Sequence, residues 1–127
     1  MKSVHYLKNL RYFTCALNSI NKLPAQWSEM SKLQELDCSL NNIEEIPESW
    51  SNITSLRRLW SKRNEIKTLP DWLLDLPDFE YLDISKNNIG NIPEKWNERR
   101  VDLTGLIFSR NEIDNYVYFH EGCFTIK

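Results

Sequence analysis

The feature that most constrains this chain is an internal repeat of 23 residues. Cuts at Leu10, Leu33 and Leu56 align the sequence with itself. A fourth unit from Phe79 carries one extra residue before a fifth unit begins at Leu103. The ninth position of every unit is an asparagine: Asn18, Asn41, Asn64, Asn87 and Asn111. A fixed period of this length is the signature of a repeat architecture, in which each unit stacks on its neighbours.

Apolar residues recur at fixed positions within the unit, which begins with the pattern LxxLx. Because alternate residues of a strand point to opposite faces, the fourth and sixth positions face inward and the third and fifth face solvent. No single unit can bury its apolar set alone, so stacked units form one continuous core. The eleventh position is an isoleucine throughout: Ile20, Ile43, Ile66, Ile89 and Ile113.

The second half of the unit predicts irregular structure and not a long helix. The first four units contain an apolar residue followed by proline, as in Leu23-Pro24, and proline fixes φ at about −65° and favours a turn-like segment. A large apolar residue follows three places later: Trp27, Trp50, Leu73 and Trp96. The asparagine amide both donates and accepts, so we expect it to satisfy backbone groups where the strand turns away and to tie neighbouring coils together.

This pattern resembles the leucine-rich-repeat family in its LxxLxLxxNxIxxIPxxW form, over about residues 10–113. The resemblance implies an α/β right-handed solenoid of about five coils, with a concave parallel sheet and a convex side of irregular or short 3₁₀ segments. We expect a single domain over residues 1–127, with caps at 1–9 and 114–127 that seal the open ends of the core. The expected covering side chains are Val4, Tyr6, Leu7, Tyr116, Tyr118, Phe119 and Phe124.

Charge and composition narrow the function classes. The formal net charge is −2, which argues against a nucleic-acid partner because such binders carry a basic footprint. No apolar run approaches the roughly 20 residues that span a bilayer, so we expect a cytoplasmic protein with no membrane contact. His120, Glu121 and Cys123 cluster near the C-terminus, but a metal site needs three or four ligands and no second cluster completes the set. We predict neither a metal nor a cofactor.

Two of the three cysteines, Cys15 and Cys38, share the inward-facing sixth position of adjacent units. Neighbouring parallel strands would place their Cα atoms within disulfide range. An odd and low cysteine count is not a disulfide framework, so we expect two buried thiols. The same position holds Ser61 in the third unit, a polar residue at a predicted core site.

The solvent-facing strand positions predict a binding surface on the concave side of the sheet. Parallel strands lie about 4.8 Å apart, so Trp60 would stand between Asp37 and Asp83. Tryptophan, tyrosine and arginine are enriched at binding hot spots. The predicted partner-binding residues are Tyr12, Glu35, Asp37, Arg58, Trp60, Lys62, Tyr81 and Asp83. In the alternative interpretation these residues form a solvated ladder, in which Glu35 and Arg58 make a weak cross-strand ion pair.

Charge is unevenly divided between two neighbouring units. The acidic residues of the second unit are Glu35, Asp37, Glu44, Glu45 and Glu48. The basic residues of the third unit are Arg57, Arg58, Lys62, Arg63 and Lys67. In one interpretation the two surfaces compensate each other. In the other, the basic unit contacts an acidic partner or RNA, and binding weakens steeply with salt.

No catalytic motif accompanies the repeat, since the sequence contains no P-loop, nucleophile elbow, zinc-protease helix or dinucleotide fingerprint. We therefore predict a non-enzymatic, monomeric protein–protein interaction module that acts as an adaptor, inhibitor or effector-type binder through its concave face. The alternative is the substrate-recognition portion of a larger enzyme, such as a ubiquitin-ligase-type effector. A self-associating structural module is the third class that fits the repeat.

Overall fold

The computed structural model describes residues 8–97 and 103–111. Within these ranges, five strands form one parallel sheet in sequence order. The strands are β1 (Tyr12–Thr14), β2 (Glu35–Asp37), β3 (Arg58–Trp60), β4 (Tyr81–Asp83) and β5 (Gly105–Ile107). Each strand pairs with the next at equivalent unit positions, so that Leu36 pairs with Leu59 and Leu59 with Leu82. The predicted solenoid of five coils with a parallel sheet is confirmed.

The convex side carries one short helical turn in each of the first four coils. These turns are the 3₁₀ segments Ala25–Glu29, Glu48–Asn52 and Leu73–Asp75 and the α-helix α1 (Glu94–Asn97). A proline carbonyl begins each turn, as where Trp27 N donates to Pro24 O at 3.2 Å and Trp50 N to Pro47 O at 3.1 Å. Proline suits this place because its φ is fixed, −64° at Pro24, while its carbonyl stays free to accept.

The core is a stack of equivalent apolar rows. The leucines at the centres of the strands are buried: Leu36, Leu59, Leu82 and Leu106. On the convex side, the rings of Trp27 and Trp50 stack with centroids 6.1 Å apart, and Trp50 Nε1 donates to Pro24 O at 3.2 Å. Leu73 takes the place of the tryptophan in the third coil and is also buried. Truncation of such a buried tryptophan costs about 3–5 kcal/mol of stability, so the stacked tryptophans stabilise the packing of the first coil against the second.

The asparagine row ties each coil to the one before it. Asn64 Nδ2 donates to the carbonyls of Cys38 at 3.0 Å and Ser61 at 3.2 Å. Asn64 Oδ1 accepts from the amide of Ile43 at 3.0 Å. Equivalent bonds are made by Asn41, Asn87 and Asn111. A buried peptide group left unpaired costs about 1–3 kcal/mol, so these amides stabilise the turn after each strand, and the prediction for this row is confirmed.

Each strand is followed by a residue in the left-handed region, at the eighth position of the unit. These residues are Leu17, Leu40, Arg63, Lys86 and Arg110, with φ between 56° and 65°. Their amides bond to the following coil, as where Leu40 N donates to Lys62 O at 2.8 Å and Arg63 N to Ser85 O at 3.0 Å. The eighth positions therefore form a second regular row, along the edge of the sheet where the strands end.

A polar residue occupies one inward-facing position without leaving a polar atom unpaired. Ser61 is fully buried, and its hydroxyl lies 3.6 Å from Cys38 Sγ and 3.4 Å from Asn64 Nδ2. The neighbouring thiol and amide thus satisfy the hydroxyl, which explains how this core site accepts serine.

The predicted caps, residues 1–9 and 114–127, lie almost wholly outside the described residues, since only 8 and 9 belong to them. Their proposed covering side chains, and Ile113 of the isoleucine row, lie outside as well. The cap boundaries stay predictions.

Candidate functional site

The solvent-facing sides of the five strands form one surface, which we call the sheet face. Its two rows are Tyr12, Glu35, Arg58, Tyr81 and Gly105, and Thr14, Asp37, Trp60, Asp83 and Ile107. These residues flank the buried leucine at the centre of β2, β3 and β4. Lys62 follows β3 at the seventh position of its unit. The structure therefore places seven of the eight predicted partner-binding residues on the sheet face, and Lys62 just beyond the end of β3.

An aromatic pair lies at the middle of the sheet face. The rings of Trp60 and Tyr81 have centroids 5.6 Å apart and planes inclined by 44°, and both side chains are partly exposed. Partial burial raises the pKa of the Tyr81 hydroxyl, and the charge of Asp83 adds to that effect. Trp60 and Tyr81 thus form an aromatic contact between adjacent strands that is partly open to solvent.

The Tyr81 ring rests over Gly105 on the next strand. A Cβ atom at Gly105 would come within 2.7 Å of Tyr81 Cε2 and 2.9 Å of Cδ2. The absence of a side chain therefore leaves the space that the tyrosine ring occupies. Gly105 was not among the predicted site residues, although the signal was present, since it is the one glycine at the third position of a unit.

Two carboxylates stand on either side of Trp60, as predicted from the register. Asp37 Oδ1 accepts from the Ser39 amide at 3.0 Å. Asp83 Oδ1 accepts from the Ser85 amide at 3.0 Å and from the Ser85 hydroxyl at 2.7 Å. These bonds orient both aspartates against the ends of their strands, so Trp60 is flanked by negative charge in fixed positions.

The predicted ion pair between Glu35 and Arg58 is wrong, because Arg58 pairs with Glu80. Arg58 Nε lies 2.9 Å from Glu80 Oε2, and Arg57 Nη2 lies 2.8 Å from Glu80 Oε1. The hydrogen bond from Arg57, followed by that from Arg58, lowers the pKa of the Glu80 carboxyl. The same contact raises the pKa of Arg57. Glu80, at the second position of the fourth unit, thus pairs with both arginines of the third unit. The solvent-facing strand positions alone did not predict this pairing.

The remaining predicted residues lie farther from the aromatic pair. Tyr12 is 53% exposed on β1, two strands away from Trp60. Glu35 lies between Tyr12 and Arg58 in the same row. The backbone amide of Lys62 donates to the Ser39 hydroxyl at 3.2 Å. The sheet face is thus one continuous surface with its aromatic centre on β3 and β4.

Comparison with known proteins agrees with the repeat and its register. Residues 32–53 match a family model described as Leucine Rich Repeat. A leucine-rich-repeat protein of Leptospira interrogans has a solved structure similar over 90% of this chain, with a TM-score of 0.81 and 27% identity. The functional domain of InlJ from Listeria monocytogenes is similar over 91%, with a TM-score of 0.72 and 28% identity. The 23-residue repeat of this chain is therefore of the leucine-rich-repeat type, as the family model and the similar structures support.

The leucine-rich-repeat ectodomain of the Arabidopsis thaliana membrane receptor kinase GASSHO1/SCHENGEN3, solved in complex with CASPARIAN STRIP INTEGRITY FACTOR 2, is also similar. It matches 86% of this chain, with a TM-score of 0.73 and 26% identity. This chain spans 29%, 24% and 13% of the lengths of the three structures, in the order given. No curated protein sequence matches it significantly. Leucine-rich-repeat domains are generally protein–protein interaction modules and typically carry no enzymatic activity.

The leucine-rich-repeat core buries both sixth-position cysteines, as predicted. Burial raises the pKa of the Cys15 thiol to about 11 and that of Cys38 to about 12. Cys38 Sγ lies 3.5 Å from the Trp60 carbonyl oxygen. Because the thiolate is the reactive form, neither sulfur is suited to act as a nucleophile at neutral pH.

Within residues 8–97 and 103–111, no group of three or more His, Cys, Asp or Glu side chains lies close enough to hold a metal ion. Over the same part of the chain, no helix is long and apolar enough to cross a membrane. His120, Glu121 and Cys123 lie outside the described residues.

Proposed function

We propose that this leucine-rich-repeat chain is a protein-binding module that holds a protein partner on its sheet face, with Trp60 as the central anchor. The observation that carries the proposal is the Trp60–Tyr81 pair, which lies partly exposed on the middle strands of the sheet. The module would act in the cytoplasm, as a monomeric adaptor, inhibitor or effector-type binder.

The aromatic pair is held in place before any partner arrives. Tyr81 is seated in the space above Gly105 and lies against Trp60, while the strands beneath are fixed by parallel pairing. A preordered side chain loses less conformational freedom on binding, so more of its contact energy appears as affinity. Tryptophan and tyrosine in such central positions are typical binding hot spots.

The charges around Trp60 indicate what the partner presents to it. Asp37 and Asp83 flank the ring, and each uses its Oδ1 atom in a bond to the following turn. A cation placed over the face of a tryptophan is attracted by the ring, and two adjacent carboxylates strengthen that attraction. We therefore expect a lysine or arginine side chain of the partner to lie over Trp60. Arg58 contributes less, because its guanidinium is already held by Glu80.

Similar proteins support a peptide or protein as the bound partner. The plant receptor ectodomain described above was solved with CASPARIAN STRIP INTEGRITY FACTOR 2. The plant peptide hormone receptor RGFR1, solved in complex with RGF2, matches 73% of this chain with a TM-score of 0.64 and 26% identity, and this chain spans 15% of it. A surface of about 800 Å² on each partner is a standard protein interface, and a five-strand sheet face can supply it.

The test is affinity capture from a lysate of the source organism at moderate salt, followed by calorimetry with the captured protein. Trp60→Ala is expected to weaken binding by about 2 kcal/mol or more, roughly thirtyfold in Kd. Tyr12→Ala, two strands away, is expected to weaken it less.

The matched control is Thr68→Ala, at an exposed residue outside the sheet face. All three variants are first shown to unfold at the temperature of the wild type. Unchanged affinity in folded Trp60→Ala would refute the proposal and move the binding site to another surface.

A further inference from the structure

The residues with left-handed backbone conformation along the sheet edge differ in chemical character from one end of the row to the other, and the repeat does not require this difference. We call this set the edge row: Leu17, Leu40, Arg63, Lys86 and Arg110. Its first two members are exposed leucines, 74% and 40% exposed respectively. Its last three are cations. One end of the row is therefore apolar and the other end is basic.

The backbone fixes the spacing of the edge row. Each of the first four residues donates its amide to a carbonyl of the following coil, as where Leu17 N bonds to Ser39 O at 3.1 Å and Lys86 N to Ser109 O at 2.9 Å. Because the coils repeat at the spacing of parallel strands, successive side chains emerge about 4.8 Å apart. The three cations thus span roughly 10 Å, the length of three to four residues of an extended peptide.

The basic end of the edge row lacks paired acids in the part of the chain that the structure describes. Among the described residues, none of Arg63, Lys86 and Arg110 forms an ion pair, whereas Arg57 and Arg58 share Glu80. The pKa of Lys86 is lowered by the charge of Arg63 first, then by partial burial, and then by Lys62 and Arg110. These cations therefore repel one another across the coils.

An open hollow lies beside the same side chains. It has a volume of about 550 Å³, and its lining includes Arg63, Lys86 and Arg110 together with Asn42 and Glu65. Glu65 is the one carboxylate among the described lining residues, so three positive charges face one negative charge. A bound anion would relieve the repulsion between the cations.

We infer that the edge row binds an acidic, extended segment of a protein partner. Its carboxylates would lie over Arg63, Lys86 and Arg110, and an apolar side chain would cover Leu17 and Leu40. The inference rests on the proposed function, because it names the chemistry of a partner segment. A peptide fits better than a nucleic acid, since two exposed leucines continue the row and can be covered by an apolar side chain of the same segment.

The first test needs no protein variant. The probe is a fluorescein-labelled synthetic peptide of two leucines followed by four glutamates, and its binding is followed by fluorescence anisotropy. We expect it to bind at least roughly tenfold more tightly than the same peptide with glutamine for glutamate, since three exposed ion pairs are lost. The advantage should shrink between 50 and 300 mM NaCl, about the range over which the screening length shortens appreciably. Equal binding of the two peptides would overturn the inference.

The second test places the effect on the edge row. The variant Arg63→Gln/Lys86→Gln/Arg110→Gln is compared with Lys22→Gln/Lys32→Gln/Lys67→Gln, which removes three exposed charges elsewhere. Each variant changes the formal net charge by the same amount, from −2 to −2 − 3 = −5. The first should lose roughly tenfold in affinity for the glutamate peptide and the second less than about twofold. Equal losses would show an effect of net charge alone and refute the edge row as the site.

Two further measurements separate the outcomes. Leu17→Asn/Leu40→Asn keeps residues that accept a positive φ and should weaken peptide binding, and unchanged binding would remove the apolar half of the inference. An oligothymidylate that binds more tightly than the peptide would make the row a nucleic-acid contact instead.

Trp60→Ala should leave peptide affinity unchanged. If the edge variant loses the captured natural partner while Trp60→Ala keeps it, the sheet-face proposal fails and the edge row stands. If Trp60→Ala loses the partner while the edge variant keeps it, the edge-row inference fails and the sheet-face proposal stands.

Discussion

The asparagine row and the sheet face occupy the same five coils but are built in opposite ways. In the asparagine row one residue type repeats in every unit, and from the second unit on it makes the same bonds to the coil before it. On the sheet face the residue type changes at every step along the third and fifth positions. The difference teaches that inward positions define the geometry of the coil, whereas outward positions define what the coil can hold.

The largest expected effect comes from breaking the asparagine row. Asn64→Ala removes two donated bonds and one accepted bond from buried peptide groups of two coils. We expect a loss of about 3 kcal/mol in the free energy of unfolding, because the buried Ile43 amide loses its acceptor. The carbonyls of Cys38 and Ser61 each lose one of two asparagine donors. Chemical denaturation followed by circular dichroism measures the loss.

The matched control is Asn88→Ala, at an exposed asparagine one place after the row. It should change the unfolding free energy by less than about 0.5 kcal/mol. If the two variants were equally stable, the row would not be the device that joins the coils, and the contrast drawn above would not hold.

A smaller effect on the free energy of unfolding is expected from a substitution that changes the sheet face and leaves the interior unchanged. Gly105→Ala places a Cβ against the Tyr81 ring, so the ring must turn away, at a cost below about 1 kcal/mol because it is a partly exposed side chain. The indole N–H resonance of Trp60 should shift, as the neighbouring ring moves. Gly90→Ala is the control, since nothing lies within 4 Å of a Cβ there. An unmoved Trp60 resonance in Gly105→Ala would contradict the seating of Tyr81 over glycine.

The smallest expected effect is on the pKa of one carboxyl group, that of Glu80, beside the sheet face. The pKa of Glu80 is lowered chiefly by Arg57 and then by Arg58. Its contribution to stability is therefore present above the ordinary carboxyl pKa and is lost as the pH falls through the lowered value. In Arg57→Gln, NMR titration should find the Glu80 pKa closer to its ordinary value than in Arg58→Gln. The opposite order would mean that Arg58 is the stronger partner.

The interior of the fold was predictable from the sequence because its physics is periodic. The buried row of Ile43, Ile66 and Ile89 and the bonds of the asparagines follow from positions that must be alike in each coil. Ser61 breaks the apolar pattern, and its acceptance depends on contacts with Cys38 and Asn64 that belong to neighbouring positions.

The chemistry of the sheet face was only partly predictable. Register alone placed Trp60 between Asp37 and Asp83. That Arg58 pairs with Glu80 and not with Glu35 was not predictable. The conformation of a long side chain depends on every charge within its reach, including charges outside its own row. The left-handed turn at the eighth position was also missed, because arginine, lysine and leucine carry no local preference for positive φ.

The bonds of the asparagine row have a consequence for how such a chain can change in length. From the second coil on, each asparagine bonds to backbone atoms of the preceding coil, such as the Cys38 carbonyl and the Ile43 amide for Asn64. Backbone atoms of this kind are present whatever the side chain. A coil can therefore follow any other coil of the same period. In-frame loss or duplication of 23 residues would delete or copy one whole coil and leave the asparagine bonds between the remaining coils in place. A gene of this kind can therefore lose the codon for Trp60, or gain a second copy of it, in a single event.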